Sequence, residues 1–434
     1  MNVLKKGIKN GFVFNGSIIF TALIGISVVL GTFISAFSIV ALALSVAALF
    51  ILSEEDSLCT LVFTMSFANI FKASPGSQSF FTYLILVYVL FYMLKKRKMD
   101  LKVLISLMIL FAFLLLQFMI SMDVLRSVKF FVNLLLIYFA VNLNFKNDYK
   151  KVFHFYIVGV IVSSLIAFFN VIPNLNEYVG LKDIGGKEFD DFVRFAGMYG
   201  DPNYYAVNVI LSLCLIILLQ HKKQINAIFA LACAAVLVMF TILTYSKSAF
   251  LMLALPSVLL LYSKIKSRKY LLFAILAIAC VIVLFNVLLG KIEFLQTILS
   301  RFEEADDANS FTGGRITFWQ NYIEVITESF KNSMFGGGFG AELIEGNAPH
   351  NTFVDLWYYL GLTGVGLLIL SFVSIAKTVK NPPRKNLLNY SAWICILIMY
   401  MFLSEIFYFD WAFHIIIAIL ALKTDLLVER KEVE

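Results

Sequence analysis

Residues Phe12 to Leu52 read FVFNGSIIFTALIGISVVLGTFISAFSIVALALSVAALFIL, an apolar run without one charged side chain. A bilayer core about 30 Å thick is crossed by about 20 mostly apolar helical residues, so this run is long enough for two successive spans, near 12–33 and 35–52. Lys5, Lys6 and Lys9 precede it, and Glu54, Glu55 and Asp56 follow. The same punctuation of apolar stretches by charge continues to the end of the chain. It predicts further spans near 58–72, 80–94, 103–121, 126–143, 152–171, 203–220, 225–243, 246–263, 270–289, 351–376, 388–404 and 406–422. The segments 58–72 and 80–94 are short enough to be tilted, re-entrant or partly buried. The expected fold is an all-α polytopic integral membrane protein with about 14 transmembrane helices (about 12 to 14), one transmembrane domain over residues 1–434.

Composition agrees. The 434 residues are 61% hydrophobic and 15% charged, against about 45 to 50% and about 25% in soluble domains. A soluble fold is excluded. The net charge of +7 is explained by where the cations stand. With the N-terminus inside, the clusters at 95–102, 146–151, 222–223, 264–269, 377–385 and 423–431 all fall on that same side, as cytoplasmic loops do. Both termini are therefore expected to be cytoplasmic, with an even number of spans. The first apolar run lacks a small-residue cleavage site and is read as a retained helix. Nucleic acid is not implied. Cys59, Cys214, Cys233, Cys280 and Cys395 lie in or beside apolar runs without a CxxC pair, and are read as small buried hydrophobes.

Two extracytoplasmic loops are too long for plain connectors: residues 172–202 and 290–350. Both are acidic on balance. In the second, Thr312-Gly-Gly precedes a helical pattern near 315–331 with Ile316, Trp319, Ile323, Ile326 and Phe330 on one face, the pattern of an interfacial amphipathic helix. Its first turn carries Arg315. It runs into Phe335-Gly-Gly-Gly-Phe-Gly340, a hinge whose amides are also suited to an anion nest.

The chemistry-bearing residues gather at these loops. His350 stands where the second loop meets a span, in His350-Asn351-Thr-Phe-Val-Asp355. A neutral imidazole there can accept a proton from a hydroxyl; the bland reading is a histidine that only hydrogen-bonds at a helix entry. The first loop ends Arg194-Phe-Ala-Gly-Met-Tyr-Gly-Asp201-Pro202-Asn203. Asp201-Pro202 is a helix start. Arg194 above that helix N-terminus suits a phosphate, or equally a salt bridge to Asp190 or Asp191. Lys247, in Thr244-Tyr-Ser-Lys-Ser248, either snorkels to the headgroups or joins Arg194 and Arg315 in a three-cation cluster of the kind a pyrophosphate needs. Arg126 and Lys129 open a span near the same surface and either join that cluster or anchor their helix. Glu405, Asp410 and His414 surround an outer turn as supporting candidates. No HExxH, outer-loop DxD or His/Cys cluster is present, so neither a metal nor a cofactor is expected.

His350-Asn351, nine residues, then Gly361-x-x-Gly364 resembles the signature of the O-antigen ligase and Wzy-type polysaccharide polymerase superfamily. Gly314-Arg315 with Trp319, the 335–340 glycine run, the Arg194 to Asn203 string and Ser246-Lys247 resemble its other recurring pieces, in the expected order. Lys247 departs from the arginine found there about as often. The resemblance covers residues 190–370 by motif and the whole chain by architecture.

What the resemblance implies is a GT-C-like membrane glycosyltransferase in the cytoplasmic (inner) membrane of a bacterium, with its active site on the extracytoplasmic face. It would polymerise undecaprenyl-pyrophosphate-linked repeat units into capsular or O-antigen polysaccharide by metal-independent inverting transfer. His350 would be the general base on the acceptor hydroxyl; Arg194, Arg315 and Lys247 would meet the pyrophosphate. Asn351, Asp355, Asp201, Asn203 and Glu405 are supporting candidates. The implied partners are a lipid-linked glycan donor and acceptor, the bilayer, a flippase and a chain-length regulator. One alternative is a ligase that moves the glycan to a terminal acceptor such as lipid A core; another is a flippase or transporter of lipid-linked oligosaccharide. Transporters show related halves and midplane charges, whereas these candidates are asymmetric and lie at the outer loops.

Overall fold

The computed structural model describes residues 16–431 except 32, 35, 73–78, 96–99, 119–120, 122, 143–148, 170–180, 184–192, 265–306, 308, 310–311, 379–386, 405 and 408. The protein is helical almost throughout: α1 Gly16–Gly31, α2 Ala36–Ile51, α3 Glu54–Met65, α4 Phe81–Lys95, α5 Leu101–Phe118, α6 Val124–Val141 and α7 Tyr149–Phe168. A small antiparallel hairpin follows, β1 Leu181–Asp183 with β2 Val193–Phe195, pairing Lys182 with Arg194. Then come α8 Pro202–His221, α9 Ala227–Leu243, α10 Lys247–Lys264, α11 Arg315–Thr327, α12 Phe330–Phe335, α13 Thr352–Thr378, α14 Ser391–Tyr400 and α15 Phe409–Lys431.

Among the described residues three helices, α7, α8 and α13, are long and apolar enough to cross a membrane, and eight shorter apolar helices stand at other expected spans. A polytopic membrane protein is the fold these helices describe. The segment expected at 58–72 is α3, entered through Glu54, Glu55 and Asp56, followed by a 3-10 turn over Ala68–Phe71. The span expected at 270–289, with Cys280, lies outside the described residues, as does most of the 172–202 loop. Cys59, Cys214, Cys233 and Cys395 are buried free thiols.

The outer surface is apolar as well as the interior. Ile228 is 80% exposed, Leu231 72% and Ile39 71%, on helices whose opposite faces are buried. In lipid such a face costs nothing, and helices are held together instead by close packing and internal hydrogen bonds. The innermost helix is α8, packed by α7, α9, α10 and α14, with nearly every side chain from Tyr205 to Leu219 buried.

One element departs from the regular spans. The segment expected as one span at 351–376 is broken at Gly361, whose φ of 63° and ψ of 177° interrupt α13. The break leaves carbonyls without their i+4 amide, which inside a membrane must be satisfied by other protein groups. The glycine run supplies them: the amides of Gly337 and Gly338 donate to the carbonyls of Tyr358 (2.9 Å) and Tyr359 (3.0 Å). Gln117, from α5, donates through Nε2 to Tyr359 O (3.1 Å) and Leu360 O (3.3 Å), and also to Phe335 O. The run expected to form an anion nest is therefore structural here, because its amides are taken by backbone carbonyls. Phe339 anchors it, against Phe130 (5.1 Å between ring centroids), Phe407 (5.0 Å) and Tyr359 (6.0 Å).

The amphipathic helix expected near 315–331 is likewise divided. It ends at Thr327, and Ser329 caps the short α12 through the Asn332 amide. Tyr322 and Ile326 are its buried residues, while Ile323 (40%) and Phe330 (78%) are exposed.

Gly336 (φ 71°, ψ 179°) and Gly361 share a backbone region open in practice only to glycine. A Cβ on Gly336 would meet Tyr359 O at 2.5 Å and Gly361 N at 2.6 Å. Gly336→Ala is expected to cost more than about 3 kcal/mol and to lower the thermal midpoint in detergent sharply. Gly366→Ala, whose Cβ meets nothing within 4 Å, is the control and should not lower it. Equal midpoints for the two variants would remove the close approach as the element's constraint.

Candidate functional site

The first turn of α8 is where the site is assembled. Asp201 accepts from the amides of Asn203 (2.7 Å) and Tyr204 (3.3 Å), with Pro202 at the first helical position, as its sequence predicts. Asn203 turns its Oδ1 to the other side, accepting from Ser246 Oγ (2.6 Å) and Arg194 Nη2 (3.3 Å). Arg194 Nε donates to Thr244 O at 2.9 Å. The β2 strand that carries Arg194 is pinned by buried Phe195, which stacks on Phe240 (5.2 Å) and meets Tyr205 edge-on (5.3 Å). Arg194 is thus held at the turn that opens α10, whose first residue is Lys247. Asp190 and Asp191, its alternative partners, lie outside the described residues.

On the opposite approach to the same turn stand Arg315 and His350. Arg315 is half-buried and opens α11 after Gly313 and Gly314, both at positive φ. Burial lowers its pKa from the ordinary value, opposed by the charge of Asp201 and by Tyr204. His350 is half-buried and adopts a φ of +50°, a costly conformation for a non-glycine residue that the surroundings must hold. They do so through Tyr322, whose hydroxyl donates to Asn347 O (2.7 Å) and accepts from Ile344 N (3.2 Å), and through Tyr358, which donates to Glu342 O (2.7 Å). Thr352 then donates to Leu403 O at 2.6 Å.

Burial and the Arg315 charge push the His350 pKa below 6.5, with Asp201 opposing them. The neutral imidazole, the form able to accept a proton, is therefore favoured near neutral pH.

Asn351 caps α13, accepting from the Phe353 (3.0 Å) and Val354 (3.2 Å) amides. Asp355, one turn on, is 3% exposed and faces a cavity of about 700 Å³. His350 and Asp201 open onto the same cavity, with Arg126, Lys129, Lys72 and Asp410. Arg194, Lys247 and Arg315 are not among its lining residues. Arg194 and Arg315 thus meet at the first turn of α8, Lys247 opens α10 next to Ser246, and a second group of cations lines the cavity. Asp410 lines the cavity, whereas His414 is fully buried with Nε2 3.2 Å from Asn208 Oδ1. Glu405 lies outside the described residues.

Lys72 was not singled out by sequence, since one lysine at the end of a short apolar segment is the commonest of boundary signals. Arg126 and Lys129 did carry a readable signal: with Asn133 they stand at i, i+3 and i+7, a polar stripe on an apolar helix.

If the stated causes act on His350, its imidazole should titrate below 6.5 in ring-labelled NMR spectra, assigned by the signal lost in His350→Ala. Arg315→Gln should move the midpoint upward, because a neighbouring positive charge is removed. A midpoint unmoved by that change would separate the two residues electrostatically.

The sequence model described as O-antigen ligase matches residues 232–369, a segment that contains Lys247, Arg315, His350 and Asp355. The ComP-specific O-oligosaccharyltransferase of Acinetobacter baylyi (strain ATCC 33305 / BD413 / ADP1) is 25% identical over 265 residues, covering 54% of this chain. The match spans 44% of that relative, less than half its length. No solved structure matches the chain. Both findings support the superfamily that the motifs resemble, that of the O-antigen ligases and Wzy-type polymerases.

Proposed function

We propose that this protein is a membrane glycosyltransferase that moves an oligosaccharide from a polyprenyl pyrophosphate to a hydroxyl of a terminal acceptor, on the extracytoplasmic face of a bacterial cytoplasmic membrane. The observation that carries the reading is His350, whose pKa is lowered by burial and Arg315, on the wall of a cavity it shares with Asp201, Asp355, Arg126 and Lys129. Of the two transfers the motifs allow, the ligase now stands ahead of the polymerase. The matching family is described as O-antigen ligase, and the relative is named as an O-oligosaccharyltransferase. The acceptor is a lipid core sugar or, by analogy with that relative's name, a protein hydroxyl. A flippase and a chain-length regulator belong to the polymerase reading.

The acceptor oxygen attacks the anomeric carbon from the face opposite the pyrophosphate while His350 takes its proton. The anomeric C–O bond breaks, and the electron pair leaves with the polyprenyl pyrophosphate. Arg315, Arg194 and Lys247 would be the cations that meet the developing charge. A pyrophosphate leaving group met by fixed cations needs no metal to depart.

The test is transfer by purified protein in nanodiscs, with a pyrophosphate-linked oligosaccharide, a core-lipid or peptide acceptor, and EDTA. One oligosaccharide added per acceptor is the expected product. A ladder spaced by one repeat, with no added acceptor, would restore the polymerase, and neither product would favour transport. His350→Ala should lower turnover by about 10² to 10⁴ while donor binding survives. Arg315→Lys should lose most activity, because an ammonium cannot make the bidentate contact; wild-type turnover in that variant would remove Arg315 from the site.

A further inference from the structure

The cavity beside His350 holds cations for which the transfer just described has no use. Arg126, Lys129 and Asn133 face it from successive turns of α6, and Lys72 faces it from the end of the 3-10 turn after α3. Arg126 is committed within the fold. It pairs with Asp123 (3.2 Å), donates to Phe339 O (3.0 Å), and lies 5.9 Å and 5.4 Å from the ring centroids of Tyr359 and Phe407.

Lys72 and Lys129 differ. Both are half-buried, and among the described residues neither makes a side-chain hydrogen bond or an ion pair. Burial lowers the Lys72 pKa from the ordinary lysine value. Among the described residues three acids line the cavity: Asp201, which caps α8 and opposes the desolvation of Arg315, Asp355, which faces the charge of Arg126, and Asp410, which acts on Tyr199. None of them makes a hydrogen bond or an ion pair with Lys72 or Lys129, and Asp123, whose charge reaches Lys129, is paired with Arg126. A partly desolvated ammonium, with three donors to satisfy, is matched best by a fixed anion.

Position decides whose anion it is. His350, the base on the acceptor hydroxyl in the proposed transfer, lines this cavity, whereas Arg194, Lys247 and Arg315 do not. In the proposed transfer this puts the cavity on the acceptor side of His350. About 700 Å³ is within the usual range of a small-molecule site.

We propose that Lys72 and Lys129, beside the fixed guanidinium of Arg126, form an anion subsite for an acidic acceptor sugar, one bearing a carboxylate or a phosphate. This rests on the proposed transfer for its place in the reaction. Its occupant is distinct from the donor's pyrophosphate, which the cations outside the cavity meet.

Binding tests it without turnover, on the full chain in nanodiscs. The probes are methyl glucuronide, methyl glucoside 6-phosphate and neutral methyl glucoside, with undecaprenyl pyrophosphate measured separately. The wild type should bind the two anionic glycosides roughly tenfold more tightly than the neutral one, with a preference that weakens in salt. Lys72→Gln/Lys129→Gln should abolish the preference and leave undecaprenyl pyrophosphate binding within about twofold. His350→Ala should keep it, so failure of the transfer assay and failure of the subsite are read separately. A wild type without preference overturns the proposal by itself, whatever the variant's folding. So does a double variant that keeps the preference, or one that unfolds like wild type yet loses undecaprenyl pyrophosphate binding, which would assign these lysines to the donor.

Discussion

The backbone hydrogen bonds from the glycine run to the broken helix are the constraint on which the rest of the site depends. A helix interrupted at Gly361 would expose carbonyls to a solvent that cannot bond them. The Gly337 and Gly338 amides and the Gln117 side chain close that gap. Because the approach is backbone to backbone, neither Gly336 nor Gly361 has room for a side chain. The same contact fixes Phe339, and Phe339 O fixes Arg126. One repair thus sets the first half of α13, with Asp355 and Tyr359, and orients a cation of the cavity.

The second organising feature is the first turn of α8. Asp201 does two tasks there, capping the helix and opposing the effect of burial on Arg315 and His350. Asn203, two residues on, ties Arg194 to Ser246. The first turn of this well-buried helix therefore gathers Arg194 and Arg315, so their placement is set partly by packed elements. His350 is the exception. It sits in a loop at positive φ and is held there by the hydroxyls of Tyr322 and Tyr358.

Several of these features were legible in the chain. Asp201-Pro202 announced a helix start because capping is a local matter, settled within four residues. His350-Asn351 announced a helix entry for the same reason, and Asn351 does cap α13. The glycine run was legible as special but not as to purpose: its amides suit an anion or a carbonyl equally, and only the partner 20 residues away decides. The division of α11 from α12 escaped because the apolar period continues through Glu328 and Ser329, and periodicity is blind to a cap that interrupts it. The polar stripe of α6 could be read as anchor or as site; which it is depends on the helices it meets.

The sequence by itself determined that this is a membrane protein of many helices, because apolar length and the spacing of charges answer to the bilayer, which acts on each segment separately. It also singled out candidates for chemistry, His350, Arg194, Arg315 and Lys247 among them, because polar residues stand out in so apolar a chain, although Lys72 was not among them. The tertiary structure decided how they are grouped. Arg194 and Arg315 meet at the first turn of α8, while His350 and Asp355 line the cavity with Lys72 and Lys129. That division arises from contacts between residues separated by up to hundreds of positions, such as Gln117 with Tyr359, and no local rule of helix or loop contains it.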